Sequence, residues 1–254
     1  MRDKIKDKEY FKAFTAGIDS RIKSSYQRFV DGKIPKDRVP WFKLGIFDKY
    51  LFRCVAEYSL GNDVNTLTET YRNALDLLTN GGWITTTTKV NIKPNVYKDQ
   101  YTVEPHGKML RMLSLGYLLN MSDQDFRILV DKIDQDNISD NLYEFIIQAR
   151  FPDRVQKRPE EYNTDQSVIL KVYDKLRKAT EQGDEEEASK LVKQFLEKDF
   201  YHKHSGFYNS HKSKANTYYG YWSFEAAAVV KIMGLDDSSF IDNQYYPKDL
   251  VHQS

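Results

Sequence analysis

The amino-acid sequence predicts an all-α fold, a multi-helix bundle with a small β-hairpin or extended excursion at about residues 83–105. Apolar residues recur at three- and four-residue steps along most of the chain, which is the spacing of amphipathic helices. Between residues 83 and 105 this spacing is lost, and the segments WITTTTKVNI and QYTV are rich in β-branched and aromatic residues. Because Lys93-Pro94-Asn95 separates the two segments, this region is predicted to leave the helical pattern.

The first third of the chain predicts three helices. Apolar stripes span residues 10–29, 41–58 and 67–78, and each is followed by glycine, a residue that commonly ends helices. Helices with a single apolar stripe bury it against one another, and short connections make neighbouring helices antiparallel. We therefore expect three antiparallel helices that share one core.

Helical signals continue after the excursion. Ser122-x-x-Asp125 is a capping signal in front of an apolar stripe, and residues 151–162 contain two prolines among charges, which is typical of a connecting loop. Further apolar stripes fall at 109–118, 126–133, 142–146, 168–176 and 188–196. We expect an N-terminal helical domain at 1–105 and a C-terminal helical domain at 106–254, packed as one compact unit.

The end of the chain predicts a buried helix followed by an ordered tail. Apolar residues between 221 and 233 surround the helix instead of forming one stripe. Gly234 and Leu235 stand where a left-handed cap and its hydrophobic partner would end this helix, and the sequence DDSS at 236–239 offers caps for a following turn. Large rings lie near residue 246, where a disordered tail would carry small polar residues. The last ten residues are therefore expected to pack on the body.

Composition excludes several classes of protein. The single cysteine, Cys54, excludes an internal disulfide framework and fits a reducing compartment. No apolar stretch resembles a signal peptide or reaches the ~18 residues of a membrane span. The 38 basic and 37 acidic side chains give no overall field for binding nucleic acid or anionic lipid. We expect a cytoplasmic protein without a cofactor that binds no membrane and no nucleic acid directly.

Charge is unevenly distributed along the chain. Residues 1–60 carry 14 basic and 8 acidic side chains, whereas residues 123–200 carry 13 basic and 19 acidic ones. One interpretation is that the two segments pack as complementary partners. The other is that the middle of the chain forms an acidic surface for a basic partner.

No strong catalytic motif is present. The sequence has no glycine-rich phosphate loop, no nucleophile elbow and no His-Glu-x-x-His helix. His202, His204 and His211 are nearest to a metal-binding pattern, but their spacing matches no standard zinc site and Lys203 and Lys212 would repel a cation. We expect no metal site.

Glu225 is the most informative single carboxylate, because it lies in WSFEAAA on the predicted buried helix. An unpaired buried charge is costly, so this side chain needs a partner or a proton. We expect a structural ion pair with Lys212 or a hydrogen bond from a nearby donor. The alternative is a general base that acts with His211 in a small helical hydrolase.

The N-terminus leaves a nucleic-acid-binding protein as a further alternative. Basic side chains are frequent there, but acidic ones alternate with them, which is typical of a solvated face of mixed charge. The basic residues are Lys4, Lys6, Lys8 and Lys12, and the acidic ones are Asp3, Asp7 and Glu9.

The run SHKSKANTYYGYWSFEAAAVVKIMGLDDSSFIDNQYYPKDLVH, residues 210–252, closely resembles the C-terminal domain of the PoNi-type bacterial immunity proteins. The opening RDKIKDKEYF, with its long helix and the linker Ile34-Pro35-x-Asp37-Arg38-x-Pro40, resembles their N-terminal domain. The resemblance implies an all-helical protein without catalytic residues that binds and neutralises a cognate toxin, typically a DNase that a secretion system delivers between bacteria. The Thr-rich segment at 83–105 departs from the helical link that the resemblance implies.

The resemblance also guides the choice of site residues. The matched positions imply fold determinants, and they are Tyr219, Gly220, Tyr221, Trp222, Phe224, Glu225, Gly234, Tyr246 and Pro247. A DNA-cutting toxin has a positively charged cleft, so the acidic middle of the chain is our hypothesis for the contact surface. The candidate contacts are Asp131, Asp134, Asp136, Asp140, Asp184, Glu185, Glu186 and Glu187.

Overall fold

The chain forms two compact units in a computed structural model. The first unit, here unit 1, combines Met1–Ile84 with Phe207–Tyr221, and the second, unit 2, combines Thr85–Gly206 with Trp222–Ser254. The residues that the structure describes are 1–84, 87–93, 95–155, 157, 171–203 and 205–253. The predicted boundary at residue 105 stays a prediction.

Unit 1 contains the three helices that the apolar stripes predicted. They are α1 (Lys8–Val30), α2 (Val39–Leu60) and α3 (Val64–Leu77). Asp7 caps α1 by accepting a hydrogen bond from the Tyr10 amide, and Gly61 ends α2 in the left-handed conformation with φ of 94°. A π-helical turn, Leu78–Gly82, follows α3.

Helices α1 and α2 are antiparallel, as their contacts show. Phe29 near the end of α1 stacks on Phe42 near the start of α2, with ring centroids 5.4 Å apart. At the other end of the contact, Arg53 Nε lies 2.8 Å from a carboxylate oxygen of Asp19. The predicted antiparallel arrangement is therefore confirmed for α1 and α2.

The segment 207–221 completes unit 1. The Tyr10 hydroxyl donates to the Tyr218 carbonyl at 2.9 Å, and the Ser59 hydroxyl donates to the Tyr219 carbonyl at 2.9 Å. The Tyr219 ring stacks on Phe52, with centroids 4.6 Å apart. Since these residues are distant in sequence from α1 and α2, unit 1 combines two separate parts of the chain.

Unit 2 begins with the predicted hairpin. Strands β1 (Thr87–Lys93) and β2 (Val96–Tyr101) pair antiparallel, with Thr87 opposite Tyr101 and an irregularity between Asn91 and Lys93. Residues 87–93 and 96–101 therefore form a β-hairpin, which is one of the two forms that the β-branched composition predicted.

The remaining elements of unit 2 are helical. Ser122 accepts a hydrogen bond from the Asp125 amide at 3.1 Å, which confirms the predicted cap. The predicted helix at 168–176 and loop at 151–162 lie partly outside the described residues, which omit 156 and 158–170. The helices are α4 (Val103–Leu118), α5 (Asp123–Gln135), α6 (Asn141–Arg150), α7 (Asp174–Thr180), α8 (Glu185–Gln194), α9 (Phe224–Met233) and α10 (Lys248–Val251).

Helix α9 is the central helix of unit 2, and every residue from 224 to 230 is buried. Its predicted start at residue 221 is wrong, because Ser223 caps the helix by accepting a hydrogen bond from the Ala226 amide. An apolar sequence does not distinguish a buried extended segment from the first turn of a buried helix. The predicted end is confirmed, since Gly234 has φ of 67° and the Leu235 amide donates to the Val230 carbonyl at 3.1 Å.

The tail packs on unit 2, as predicted. The Tyr246 hydroxyl donates to the Asp237 carboxylate at 2.8 Å, and the Ser223 amide donates to the Tyr245 carbonyl at 2.8 Å. Leu250 in α10 is fully buried. Within the described residues, no helix is both long enough and apolar enough to cross a membrane.

Candidate partner-binding surfaces

The acidic residues before and within the first turn of α8 are at the surface. Asp184 caps the helix by accepting hydrogen bonds from the amides of Glu186 at 2.9 Å and Glu187 at 3.3 Å. Asp184, Glu185 and Glu186 are exposed, and Glu187 pairs with Lys190 at 2.9 Å. These carboxylates stabilise the helix start and also present negative charge to solvent.

The acidic residues near the end of α5 differ in exposure. Asp131 is exposed and lines a shallow groove with Asp123 and Arg127. Asp136 is partly buried, and it accepts a hydrogen bond from the Tyr101 hydroxyl at 2.7 Å. Of the three candidates Asp131, Asp134 and Asp136, Asp131 is the one that is exposed.

Asp134 belongs to an ion-pair network that joins α5 to α6. Arg154 donates to Asp134 at 2.7 and 2.9 Å and to the buried carboxylate of Glu144 at 2.9 and 3.0 Å. Lys157 adds a contact to Asp134 at 3.1 Å. The hydrogen bonds from Arg154 hold the pKa of Asp134 below its usual range despite partial burial.

Asp140 is buried, which corrects its prediction as a surface contact. Its carboxylate caps α6 through the Leu142 and Tyr143 amides and also binds the Gln100 amide and His106 Nε2, at 2.8 and 2.9 Å. Burial opposes the charged form, but the bonds to His106 and the backbone leave the pKa of Asp140 below its usual value. The sequence did not reveal this buried role. Asp140 lies in an acidic part of the chain, and an aspartate before a helix is also a common N-cap at the surface.

The residues expected as fold determinants are mostly interior. Gly220 has φ of 118°, a conformation that favours glycine, and the Tyr221 hydroxyl bonds Ser210 and His211. Tyr219 is half-buried and packs within unit 1. Gly234, the cap of α9, is exposed. The remaining residues are buried, and they are Trp222, Phe224, Glu225, Tyr246 and Pro247.

Glu225 is buried, as predicted, and Arg111 and Ser223 act on it within unit 2. Burial raises the pKa of Glu225, whereas the positive charge of Arg111 and a hydrogen bond with Ser223 lower it. Burial, together with the Glu225 charge, also raises the pKa of the nearby Tyr173 hydroxyl. Glu225 therefore sits in an enclosed polar environment inside the helical core.

The histidines that were weighed as metal ligands lie in different settings. His211 belongs to unit 1, where its Nδ1 is 2.8 Å from the Tyr221 hydroxyl. Partial burial and the charges of Lys212 and Lys6 lower the pKa of His211. His204 lies outside the described residues. Within the described part of the chain, no three His, Cys, Asp or Glu side chains are grouped so that they could hold a metal ion.

Sequence reasoning missed an exposed apolar patch in unit 1. Phe29 near the end of α1 and Trp41 near the start of α2 were predicted to belong to buried stripes, but they are 41% and 54% exposed, and the neighbouring Val30 is 77% exposed. The stripes continue beyond the core to the end of the helix pair, and periodicity does not show where a core stops. We call the exposed apolar residues at this end of the helix pair the aromatic tip. They are Tyr26, Phe29, Val30 and Trp41, together with the partly buried Phe42 on which Tyr26 and Phe29 pack.

Two family models match nearly the whole chain. Residues 2–131 match the N-terminal model and residues 138–250 match the C-terminal model of the PoNe immunity proteins (PoNi). No curated protein matches the chain. Among solved structures, the crystal structure of protein PA2201 from Pseudomonas aeruginosa is similar, with a TM-score of 0.61 and 14% identity over 98% of this chain and 89% of that chain. That likeness concerns the fold.

Proposed function

Because this chain belongs to the PoNe immunity protein family, we propose that it binds a nuclease toxin and neutralises it, and so protects the bacterial cell that produces both. Family membership is the observation that carries this proposal. The complex would form in the cytoplasm, where the toxin would otherwise reach DNA. The chain acts by binding, and no residue is assigned a catalytic role.

The acidic surface of unit 2 supports the proposal. A nuclease attracts DNA to a positively charged cleft, so exposed carboxylates on an inhibitor speed association and compete for that cleft. Asp184, Glu185 and Glu186 at the start of α8 are exposed, with the partly buried Glu187 in the same turn, and Asp131 on α5 is exposed as well. We propose these five residues as contacts, with the partly buried Asp134 and Asp136 as weaker candidates.

Asp140 is not part of this surface, because its carboxylate is enclosed by α6, Gln100 and His106. The ion pairs of Asp134 with Arg154 and Lys157 also neutralise much of its charge. The start of α8 is therefore the strongest part of the acidic surface.

Co-expression tests the proposal directly. The chain is expressed with the nuclease encoded beside its gene in a sensitive bacterium, survival is scored, and the complex is isolated by pull-down. Survival together with a stable one-to-one complex is the expected result. Toxicity that persists while the chain is expressed in soluble form, with no complex, would contradict the proposal.

The role of α8 is tested with Glu185→Lys, Glu186→Lys and Glu187→Lys in one chain. Weaker binding with a smaller dependence on salt is expected, since long-range attraction is screened by salt. The matched control replaces the same three residues by Gln, which removes charge without adding repulsion. Unchanged affinity and unchanged salt dependence after charge reversal would contradict the start of α8 as a contact.

A further inference from the structure

We propose that the aromatic tip is a second contact site for the toxin, and that it binds an apolar and acidic surface of the toxin outside its DNA-binding cleft. This inference rests on the proposed function and adds a site to it. The aromatic tip is part of unit 1, whereas the acidic surface is part of unit 2.

Exposure of large side chains at the tip is the first observation. Tyr26, Phe29, Val30 and Trp41 expose between 39 and 77% of their surface and come from the ends of two antiparallel helices. Clustered exposed apolar residues are unusual in a protein that functions alone and mark interaction sites. Trp and Tyr are also the residues that most often dominate binding energy at protein interfaces.

The rings of the tip also pack against one another without a partner. Phe42 stacks on Phe29 with an interplanar angle of 8°, and it meets the Tyr26 ring edge-on, with centroids 6.1 Å apart. These contacts hold the patch on two long helices. Binding at a rigid surface loses less conformational entropy than binding at a flexible loop.

Charge around the tip indicates the chemistry of the partner. The exposed charges between residues 28 and 38 have a basic excess. Basic side chains beside an apolar centre favour a partner surface of opposite charge. The cleft of a nuclease is itself basic, so the tip would contact another face of the toxin. The basic residues are Arg28, Lys33, Lys36 and Arg38, and the acidic ones are Asp31 and Asp37.

A protein partner fits these charges better than a nucleic acid. Lys33 pairs with Asp31 at 2.8 Å and Arg38 pairs with Asp37 at 3.6 Å, so carboxylates lie inside the basic region. Nucleic-acid affinity depends on basic groups that neutralise phosphates, and carboxylates beside them oppose that contact. Mixed charge around an aromatic centre is the usual rim of a protein interface.

Binding of a catalytically inactive form of the neighbouring nuclease tests the inference. The wild-type chain is compared with Phe29→Ala, Trp41→Ala and the double variant. Tyr97→Ala is the matched control, because Tyr97 is a 56% exposed aromatic on β2. The double variant is expected to weaken binding by at least about 30-fold, the effect of losing a hot-spot residue, whereas Tyr97→Ala leaves the affinity unchanged. Thermal unfolding confirms that each variant is folded.

The outcomes separate this inference from the proposed function. Binding by the wild type with equal affinity in the double variant would overturn the aromatic tip as a contact and leave the immunity function standing. Failure of the wild type to bind would contradict the proposed function itself. Two further results overturn the inference: self-association of the chain alone that Trp41→Ala abolishes, or binding of a single-stranded DNA oligonucleotide that the same substitution abolishes.

Discussion

The acidic residues of unit 2 and the apolar residues of the aromatic tip have different neighbours. Asp134 and Asp140 bind Arg154, His106 and backbone amides, so much of their charge stabilises the fold. At the tip, Trp41 and Val30 are mostly exposed. The comparison shows that some carboxylates of an acidic sequence are not accessible to a partner. It also shows that some apolar residues of a helix stripe are accessible. Substitutions at Asp134 and Asp140 should therefore affect stability, and substitutions at the tip should affect affinity.

Asp140→Ala has the largest expected effect on stability. The substitution removes the cap of α6 and leaves His106 and Gln100 without their buried partner, and loss of one member of a buried pair costs roughly 3 to 5 kcal/mol. Urea unfolding followed by circular dichroism measures the free energy of unfolding. Asp131→Ala, at an exposed position, is the control and should change it by less than about 0.5 kcal/mol. Equal stabilities for the two variants would contradict a structural role for Asp140.

Arg154→Ala should lower the free energy of unfolding by about 2 kcal/mol, because buried Glu144 loses a charged hydrogen-bond donor. Lys157→Ala provides the matched control, since Lys157 also contacts Asp134 but is more exposed. An exposed ion pair contributes under about 1 kcal/mol. The two variants are compared by urea unfolding at neutral pH. If Lys157→Ala cost as much as Arg154→Ala, the burial of Glu144 would not be the cause.

Acid should destabilise the fold through Asp134 and Asp140. Both have a lowered pKa in the folded chain, so their contribution is complete above the unfolded-state value of about 3.9 and is lost as pH falls through their folded values. Urea midpoints measured from neutral pH to about pH 2 should fall steeply below about pH 4. Asp134→Asn should make this decline shallower. A decline identical to that of the wild type would show that Asp134 is not one of the responsible groups.

The start of α8 should contribute less to stability than the buried network. Asp184→Ala removes an exposed N-cap, which costs about 1 kcal/mol. Glu185→Gln keeps that cap and should cost only a few tenths of a kcal/mol through the helix dipole. Thermal unfolding of both variants measures the difference. Equal losses would mean that Asp184 does not act as the cap.

Trp41→Ala should have the smallest effect on stability, within about 0.5 kcal/mol, because the side chain is more than half exposed. Phe47→Ala, six residues later on the same helix, is the contrasting control and should cost roughly 3 to 5 kcal/mol, since Phe47 is fully buried. Both are measured by urea unfolding. A large loss for Trp41→Ala would place that ring in the core and remove it from the aromatic tip.

The sequence predicted those features of the fold that depend on near neighbours. The end of α2 at Gly61, the cap at Ser122 and the turn at Gly234 follow from local backbone chemistry, and the structure confirms each one. A hairpin was one of the two forms predicted from β-branched residues on both sides of a turn, and the structure has it. Local patterns were therefore sufficient for these helix ends and caps.

Features that depend on distant neighbours were not predictable in this way. Periodicity placed both Trp41 and Phe47 on a buried stripe, although Trp41 is exposed and Phe47 is in the core. The burial of Asp140 depends on Gln100 and His106, which come from β2 and α4. The participation of residues 207–221 in unit 1 likewise depends on contacts with α1 and α2. The predicted contact residues therefore needed more correction than the predicted helices did.

The central claim is that this chain inhibits a nuclease by binding it. Calorimetric titration of the purified full chain into the catalytically inactive nuclease encoded beside it tests this most directly, at low and at physiological salt. We predict saturable one-to-one binding that weakens as salt rises, because charged surfaces contribute to association. The absence of binding at both salt concentrations, with both proteins shown to be folded, would contradict the claim.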